Sequence, residues 1–424
     1  MWEGYADLAG QEIINSARAI AYAGNAGLRI DCEPCDSLTT ALDDMPYMSP
    51  VDADNEAPWY DPAQPQSGQF LGVLGLGVTG FQANPIARSP SALIGDGSAL
   101  GVLRRTHREV AYTVLLVAQN DAALSYGLEW LATALRGGAC TSATCRGDQL
   151  CMFSACPGET LGGGDDGDTE LRHLFDVGLL EGPTVNQTQY SSTGLVMATT
   201  TFTLAAGKPW IFREPLVTLT DWVALSSGDR LTAFDPDTVY TQCPQPKPCL
   251  ADPTCADPPL PPAPPVPISP CYPKGKGNFY RSRLSLSPLD VPEWLETVPI
   301  IEVRTGSKAM RRLTVRFWAN PQGLECDQVT DPCSACLDIS IGYLPAGSTL
   351  TVDGRIQRAT VNCPSGTAGS STSTPTIYGP QGRTFEWPVF TCPTGLCIEV
   401  LSKYEDTALN AQARVTLHPR SDAG

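Results

Sequence analysis

Residues 243–273 hold thirteen prolines and four cysteines in thirty-one positions, and that density constrains this chain more than any other stretch. Proline lacks the amide that a ladder or a helix needs and its ring fixes φ, so the segment forms neither a helix nor a central strand. Such chain is stiff and extended, about 3.1 Å per residue, and reads as a linker whose cysteines tie it into loops. It divides the 424 residues into 1–242 and 274–424, each near the ordinary domain size of about 100–200 residues.

The first part is organised around residues 109–136, EVAYTVLLVAQNDAALSYGLEWLATALR. Val110, Tyr112, Val114 and Leu116 alternate with Thr113, Leu115 and Val117, the period of a strand buried on at least one face. Then Leu124, Leu128, Leu131 and Leu135 recur at helical spacing, with Asn120 or Asp121 as the cap and Gly137-Gly138 as the stop. Gly127 inside that helix costs about 1 kcal/mol against alanine, so something packs close there, and the sheet is the candidate. QEIINSARAIAY from Gln11 predicts a short strand into a short helix. Residues 25–69 read as a loop, arm or insertion. FLGVLGLGVTGF, 70–81, contains the letters of a dinucleotide fingerprint, but Pro85 and Pro90 stand where its helix would grow, so it reads as a glycine-containing strand. GDGSALG, 95–101, predicts a turn. Residues 171–179 and 196–204 alternate as strands joined by a turn at Gly182-Pro183.

Beyond residue 274, alternating runs recur at 280–286, 300–304, 313–319, 337–341, 349–352, 356–361, 385–390, 398–401 and 414–417, with Asp353-Gly354 as a two-residue hairpin turn. The second part therefore reads as an all-β sandwich, and the whole chain as mainly β.

Formal charge is −17, which argues against a nucleic-acid reader, because phosphate neutralisation needs clustered Lys and Arg. Neither a membrane-length apolar run nor a signal-peptide pattern is read at the start, so nothing there directs secretion. Sixteen cysteines nevertheless suggest an oxidising setting. They fall into groups: Cys32 and Cys35; Cys140, Cys145, Cys151 and Cys156; Cys243, Cys249, Cys255 and Cys271; Cys326, Cys333, Cys336 and Cys363; Cys392 and Cys397. Disulfides are the favoured reading for all of them. Cys32-x-x-Cys35 and Cys333-x-x-Cys336 have the spacing of half a zinc site, and Cys326 with Cys363 would complete the second pair; structural zinc and free thiols are the alternatives. A particle assembled inside a cell and released by lysis reconciles such cysteines with the lack of a signal peptide.

No catalytic constellation is visible. Of His107, His173 and His418, His173 lies on a strand's apolar face and reads as a packed residue rather than a base, and no nucleophile-plus-base pattern such as G-x-S-x-G occurs. Asp165, Asp166 and Asp168 supply oxygens for calcium but lack the alternation of a calcium loop, so a solvated turn is favoured. Trp318 and Trp387 offer faces for sugar stacking, against which core packing is the better reading.

The order of parts resembles the minor tail proteins of actinobacteriophages, specifically the distal tail protein of long-tailed (siphovirus) phages. The residues that carry this are QEIINSARAIAY; FLGVLGLGVTG; GDGSALGVLRRTHREVAYTVLLVAQNDAALSYGLEWLATAL with the following 140–156 loop; FTLAAGKPWIFREP from Phe202; and YLPAGSTLTVDG from Tyr343. The resemblance implies an N-terminal tail-tube-like β-sandwich or split barrel with one flanking helix, and a C-terminal galectin-like sandwich. It implies a structural virion protein without catalytic residues, metal or cofactor, forming a hexameric ring that joins the tail tube to the tip or baseplate hub. Implied neighbours are the tail tube protein, the tape-measure protein and hub or fibre proteins, with DNA only in transit, no membrane, and assembly in the host cytoplasm before lysis. The alternatives are a host-glycan adhesin acting through the C-terminal sandwich and a secreted hydrolase with an appended binding domain. A channel role further requires acidic or neutral inward surfaces, with 25–69 and 162–168 as candidates, and Arg104, Arg105 and Arg108 at subunit contacts or paired with carboxylates.

Overall fold

The computed structural model describes residues 4–28, 30, 35, 37–42, 46–49, 52, 55–137, 148–157, 171–192, 194–213, 222–237, 272, 275–286, 295–320, 325–328, 335–363, 371–390 and 395–422. The protein is mainly β and antiparallel. It divides into two units, 1–214 with 420–424, and 215–419.

The first unit contains β1 (Tyr5–Leu8), β2 (Gln11–Asn15), β3 (Phe70–Thr79), β4 (Ile86–Ala87), β5 (Pro90–Ala92), β6 (Ser98–Leu100), β7 (Arg104–Arg105), β8 (Arg108–Ala118), β9 (Asp148–Phe153), β10 (Leu171–Tyr190), β11 (Val196–Ala206) and β12 (Ile211–Arg213). Its helices are α1 (Ser16–Asn25), α2 (Leu38–Ala41) and α3 (Asp121–Ala134). β10 pairs β9 and β12 through its first residues and β11 through the rest, so the sheet runs β2-β1-β9-β10 and continues β10-β11-β8-β3. The expected strand and helix at 109–136 are both present. Val110, Tyr112, Val114 and Leu116 are buried, and Asn120 Oδ1 accepts from Ala123 N at 2.9 Å. A side chain at Gly127 would meet the Phe70 ring at 2.2 Å, so the helix lies on β3 through that glycine.

Several expectations differ. The short strand into a short helix expected from Gln11 is present as β2 and α1, so α1 joins α3 on the sheet where the resemblance implied one flanking helix; its Ala19 and Ala23 pack against Leu71, Leu74 and Val117, with Asn15 Oδ1 capping Arg18 N at 3.1 Å. Residues 25–69 are not simply an arm: Tyr47, Ala57 and Trp59 are buried in the main core. Trp59 donates to Phe70 O at 3.0 Å, while Trp130 donates to Pro58 O at 3.2 Å and Tyr126 to Trp59 O at 2.6 Å. Gly182-Pro183 is not a turn; β10 runs through it, with register shifts on either side that accommodate a residue without an amide. The hairpin instead turns at 191–195, where Ser191 N donates to Leu195 O at 2.8 Å.

The second unit contains β13 (Val223–Ala224), β14 (Asp229–Phe234), β15 (Gly277–Leu286), β16 (Glu296–Arg304), β17 (Met310–Asn320), β18 (Ala335–Leu344), β19 (Thr349–Asp353), β20 (Arg358–Cys363), β21 (Ser371–Ser373), β22 (Ile377–Tyr378), β23 (Gly395–Lys403) and β24 (Gln412–Ser421), whose last two residues belong to the first unit. Two layers, β13-β24-β16-β19-β20-β21 and β14-β15-β23-β17-β18-β22, enclose one apolar core with Val303, Leu313, Val315, Phe317, Ile398 and Val415 among its members. The all-β expectation holds here. Phe385 to Phe390, however, forms no strand beyond a single bridge from Phe390 to Thr297. The Asp353-Gly354 hairpin is closed by Asp353 opposite Arg358, leaving 354–357 as its loop rather than two residues.

The boundary also moves. β13 pairs β24 and β14 pairs β15, so residues 222–237 belong with the second unit rather than with 1–242. Because β14 and β15 are neighbours in one sheet, the proline-rich segment joins two strands of the same unit and is not an interdomain linker. Residues 243–271 themselves, like 158–170 with Asp165, Asp166 and Asp168, lie outside the described residues. The two described disulfides are Cys35–Cys156 and Cys326–Cys397, and both cross between the sequence groups. Cys326 therefore does not complete a four-thiolate set with Cys333, Cys336 and Cys363, and Cys35 is bonded away from Cys32. Cys151 and Cys363 carry thiols rather than the expected disulfides, while Cys32, Cys140, Cys145, Cys243, Cys249, Cys255, Cys271, Cys333 and Cys392 lie outside the described residues, as does the side chain of Cys336.

Candidate functional site

Between β3 and β8 the chain makes an excursion held by two short ladders, Ile86–Arg105 with Ala87–Arg104, and Pro90–Leu100 with Ala92–Ser98. Gly95 and Gly97 sit at its tip with φ of +120° and +100°, values that L side chains rarely adopt. Leu93, Ile94, Leu100 and Val102 are exposed on this arm, Val102 at 81% of its maximum. From 89 to 103 the sequence SPSALIGDGSALGVL carries one charge, Asp96. An exposed patch so poor in charge is unusual on a chain of net charge −17.

The base of the arm is tied to its surroundings by hydrogen bonds. Arg108 is buried and donates to Pro209 O at 2.9 Å, to Asp422 O at 2.6 Å, and to the carbonyls of Phe81 and Ala83. Burial pulls its pKa down to about 10, with Asp422 acting in the opposite direction. Arg105 makes a two-pronged contact to Asp422, at 2.9 Å from both Nε and Nη2. Two of the three arginines expected at subunit contacts or in ion pairs are thus held within the first unit, and Arg104 stands exposed on the arm.

A second exposed edge lies at the far half of β10, where residues 184–190 are exposed and, among the described residues, pair only with β11. Tyr190 donates to Asp121 Oδ1 at 3.1 Å, and that hydrogen bond raises the phenol's pKa.

Sequence reasoning found no thiol beside a base, yet one forms. Asp7, Cys151 and His173 stand opposite one another on β1, β9 and β10, with Cys151 Sγ 3.0 Å from His173 Nδ1 and Gln149 Nε2 2.8 Å from the same nitrogen. Burial pushes Asp7 up, opposed by its bond from Gly10 N. Only cross-strand register brings these residues together, and register between distant strands is not written in local spacing. β9 is paired on both sides, so ladders occupy the amides that would stabilise an oxyanion. The arrangement reads as a satisfied polar row in a sheet, in keeping with the packed role expected for His173.

In the second unit a longer row crosses one sheet: Arg283, Glu399, Arg316 and Asp338 stand opposite one another on β15, β23, β17 and β18. Arg316 is 1% exposed and grips Asp338 through two bonds of 2.8 Å. Glu399 lies 3.6 Å from Arg316 and 3.7 Å from Arg283. Burial raises the pKa of Glu399 despite these arginines. The chain covers this face just before the proline-rich segment and again near that segment's end: Arg316 donates to Pro236 O at 3.0 Å, Arg312 pairs with Asp235 and Asp237 at 3.2 and 3.1 Å, and Tyr272 donates to Asp237 at 2.8 Å. Trp318 packs on the Cys326–Cys397 bridge, and Trp387 lies against Phe385 at 4.8 Å between ring centres. Neither tryptophan stands out as a platform for sugar.

Among the described residues no helix is long and apolar enough to cross a membrane. No protein-family model matches the sequence, and no curated protein matches it. Among solved structures, the chain is similar to the SPP1 Dit (gp 19.1) protein, described as a paradigm of the hub adsorption apparatus in phages infecting Gram-positive hosts, with 9% identity, a TM-score of 0.35 and coverage of 84% of this chain and 96% of that one. It is similar also to the phage p2 baseplate in its activated conformation with Sr, with 8% identity, a TM-score of 0.34 and coverage of 86% of this chain and 94% of that one. At such TM-scores the fold rests on the chain's own strands and registers.

Proposed function

We propose that this chain is a structural subunit of a phage tail tip whose first unit is completed by further copies of itself in a closed ring. The observation that carries the reading is the arm between β3 and β8: an exposed, nearly uncharged apolar hairpin on a base fixed by Arg108. Two copies of a chain with charge −17 repel each other, so a self-contact is favoured where charge is lowest and apolar area highest. Burying a side chain such as Ile94 or Val102 stabilises a contact by about 1.5–3 kcal/mol. An arm that docks on a different surface of the next copy makes a head-to-tail contact, which closes into a ring when the rotation allows.

The tail assignment draws on the sequence stretches that resemble distal tail proteins and on the matching order of parts, an antiparallel unit carrying helices followed by an all-β unit. In this reading the neighbours are the tail tube, tape-measure and hub or fibre proteins, and DNA passes without being bound. Mass spectrometry of purified tails, with gold-labelled antibody viewed by electron microscopy, tests it. The protein is expected at the tip in fixed copy number, and its absence from infectious particles overturns the reading.

A further inference from the structure

At one end of the second unit, the β16–β17 turn, the β18–β19 turn and the segment before β24 border an open cavity of about 580 Å³, lined by Arg304, Gly306, Ser307, Gly347, Ser348, Thr349, Asn410 and Gln412. We propose that this cavity binds a sugar bearing a phosphate or carboxylate group.

Arg304 is the one charged residue of the lining. Its guanidinium lies 3.8 Å from the centre of the Trp222 ring, and it pairs with no carboxylate among the described residues. Arg414 approaches the same ring at 4.7 Å but is neutralised by Glu302. Stacking on tryptophan holds a guanidinium in place while leaving its N–H edge for a planar or tetrahedral anion. In a chain this acidic, a cation that no described carboxylate neutralises, over a cavity whose lining holds no acid, marks a place where an anion is not repelled.

The remaining walls suit hydroxyl groups. Asn410 Oδ1 accepts from Ser307 N at 3.1 Å, which orients the amide so that its NH₂ is the group offered. Gly306, with φ of +68°, permits this approach, since a side chain there would meet Asn410 Oδ1 at 2.2 Å. Ser307, Thr349 and Gln412 add donors and acceptors. The volume lies within the range of about 300–1,000 Å³ usual for small-molecule sites and exceeds what an inorganic ion fills. No aromatic residue belongs to the lining, so a neutral sugar lacks the stacking surface that would hold it. The anionic group supplies the anchor and the ring hydroxyls the selectivity.

The proposal uses only residues of the second unit and requires no assembly, so its failure leaves the ring reading untouched, and the reverse. It is tested by calorimetry on the full chain with glucose 6-phosphate, glucuronate, glucose and inorganic phosphate as probes. Saturable binding of glucose 6-phosphate or glucuronate is expected, tenfold or more above glucose and inorganic phosphate, and which of the two binds tells whether phosphate or carboxylate is preferred. Arg304→Gln is expected to weaken that binding at least tenfold. Asn410→Ala should weaken the sugar while leaving Arg304 in place, and Arg358→Gln, an exposed cation at the other end of β20, should change nothing. Equal affinity for inorganic phosphate, no saturable binding of either charged sugar, or full affinity in a folded Arg304→Gln protein overturns the proposal.

Discussion

The arm of the first unit and the charged row of the second invert the usual distribution of residues. The arm places Ile94, Leu100 and Val102 outside, whereas the row places Glu399, Arg316 and Asp338 inside, each no more than 3% exposed. The difference lies in what completes each surface. The charges are covered by their own chain, at Pro236 and Tyr272, and alternate in sign across four strands, so every acid faces an arginine. Among the described residues nothing covers the arm. One region is finished by folding and the other is left for a partner, so substitutions should separate cleanly: changes in the row cost stability, and changes in the arm cost assembly.

The largest expected effect is in the row. Arg316→Met leaves Asp338 and Glu399 buried without their shared partner and should destabilise the second unit by about 3–5 kcal/mol, whereas Arg316→Met with Asp338→Leu should recover most of the loss. Urea denaturation followed at Trp fluorescence checks both; a single variant as stable as the wild type would show that the row is open to water. Next is the bridge over the same face, where Cys326→Ser with Cys397→Ser should cost about 2–4 kcal/mol. Gly127→Ala in α3 tests the first unit's packing. Helix propensity alone would gain about 1 kcal/mol, but the added methyl collides with Phe70, and a net loss of about 1–3 kcal/mol is expected by calorimetry.

A smaller effect is pH-dependent. Burial holds the folded pKa of Glu399 above its ordinary value of 4.5, with Arg316 and Arg283 opposing. A carboxyl raised in this way stabilises the fold fully below its unfolded pKa, and that contribution is lost as pH rises through the folded value. Stability measured from pH 4.5 upward should therefore fall less steeply in Glu399→Gln than in the wild type, and parallel curves would contradict the assignment.

The sequence made some of this contrast legible. Alternation and capping located β8 and α3, and Gly127 announced a close contact before Phe70 was seen to make it, because local periods and single exceptional residues are local facts. The arm was visible only as a turn at 95–101, since nothing in its letters tells whether Ile94 and Val102 are covered. The charged row was invisible. Arg283, Glu399, Arg316 and Asp338 come from distant strands, and each alone is an ordinary polar position of an alternating strand. Pro183 misled because proline usually ends a strand, whereas shifted register lets β10 continue past it. The proline-rich segment misled for a different reason: proline density speaks of the segment's own backbone, whereas what it joins depends on β14 pairing β15. Trp222 was likewise overlooked, because its meaning lies in Arg304 and Arg414, which stand far along the chain.

The arm is where the smallest change in stability should accompany the largest change in behaviour. Ile94→Asp with Val102→Asp alters exposed positions that support nothing within the chain, so unfolding free energy should move by no more than about 0.5 kcal/mol. Sedimentation velocity of the wild type and this double variant, at matched concentration and salt, tests the central claim most directly. The account predicts a discrete ring-sized species for the wild type and a folded monomer for the variant; identical sedimentation of the two proteins, whether both assembled or both monomeric, would contradict it.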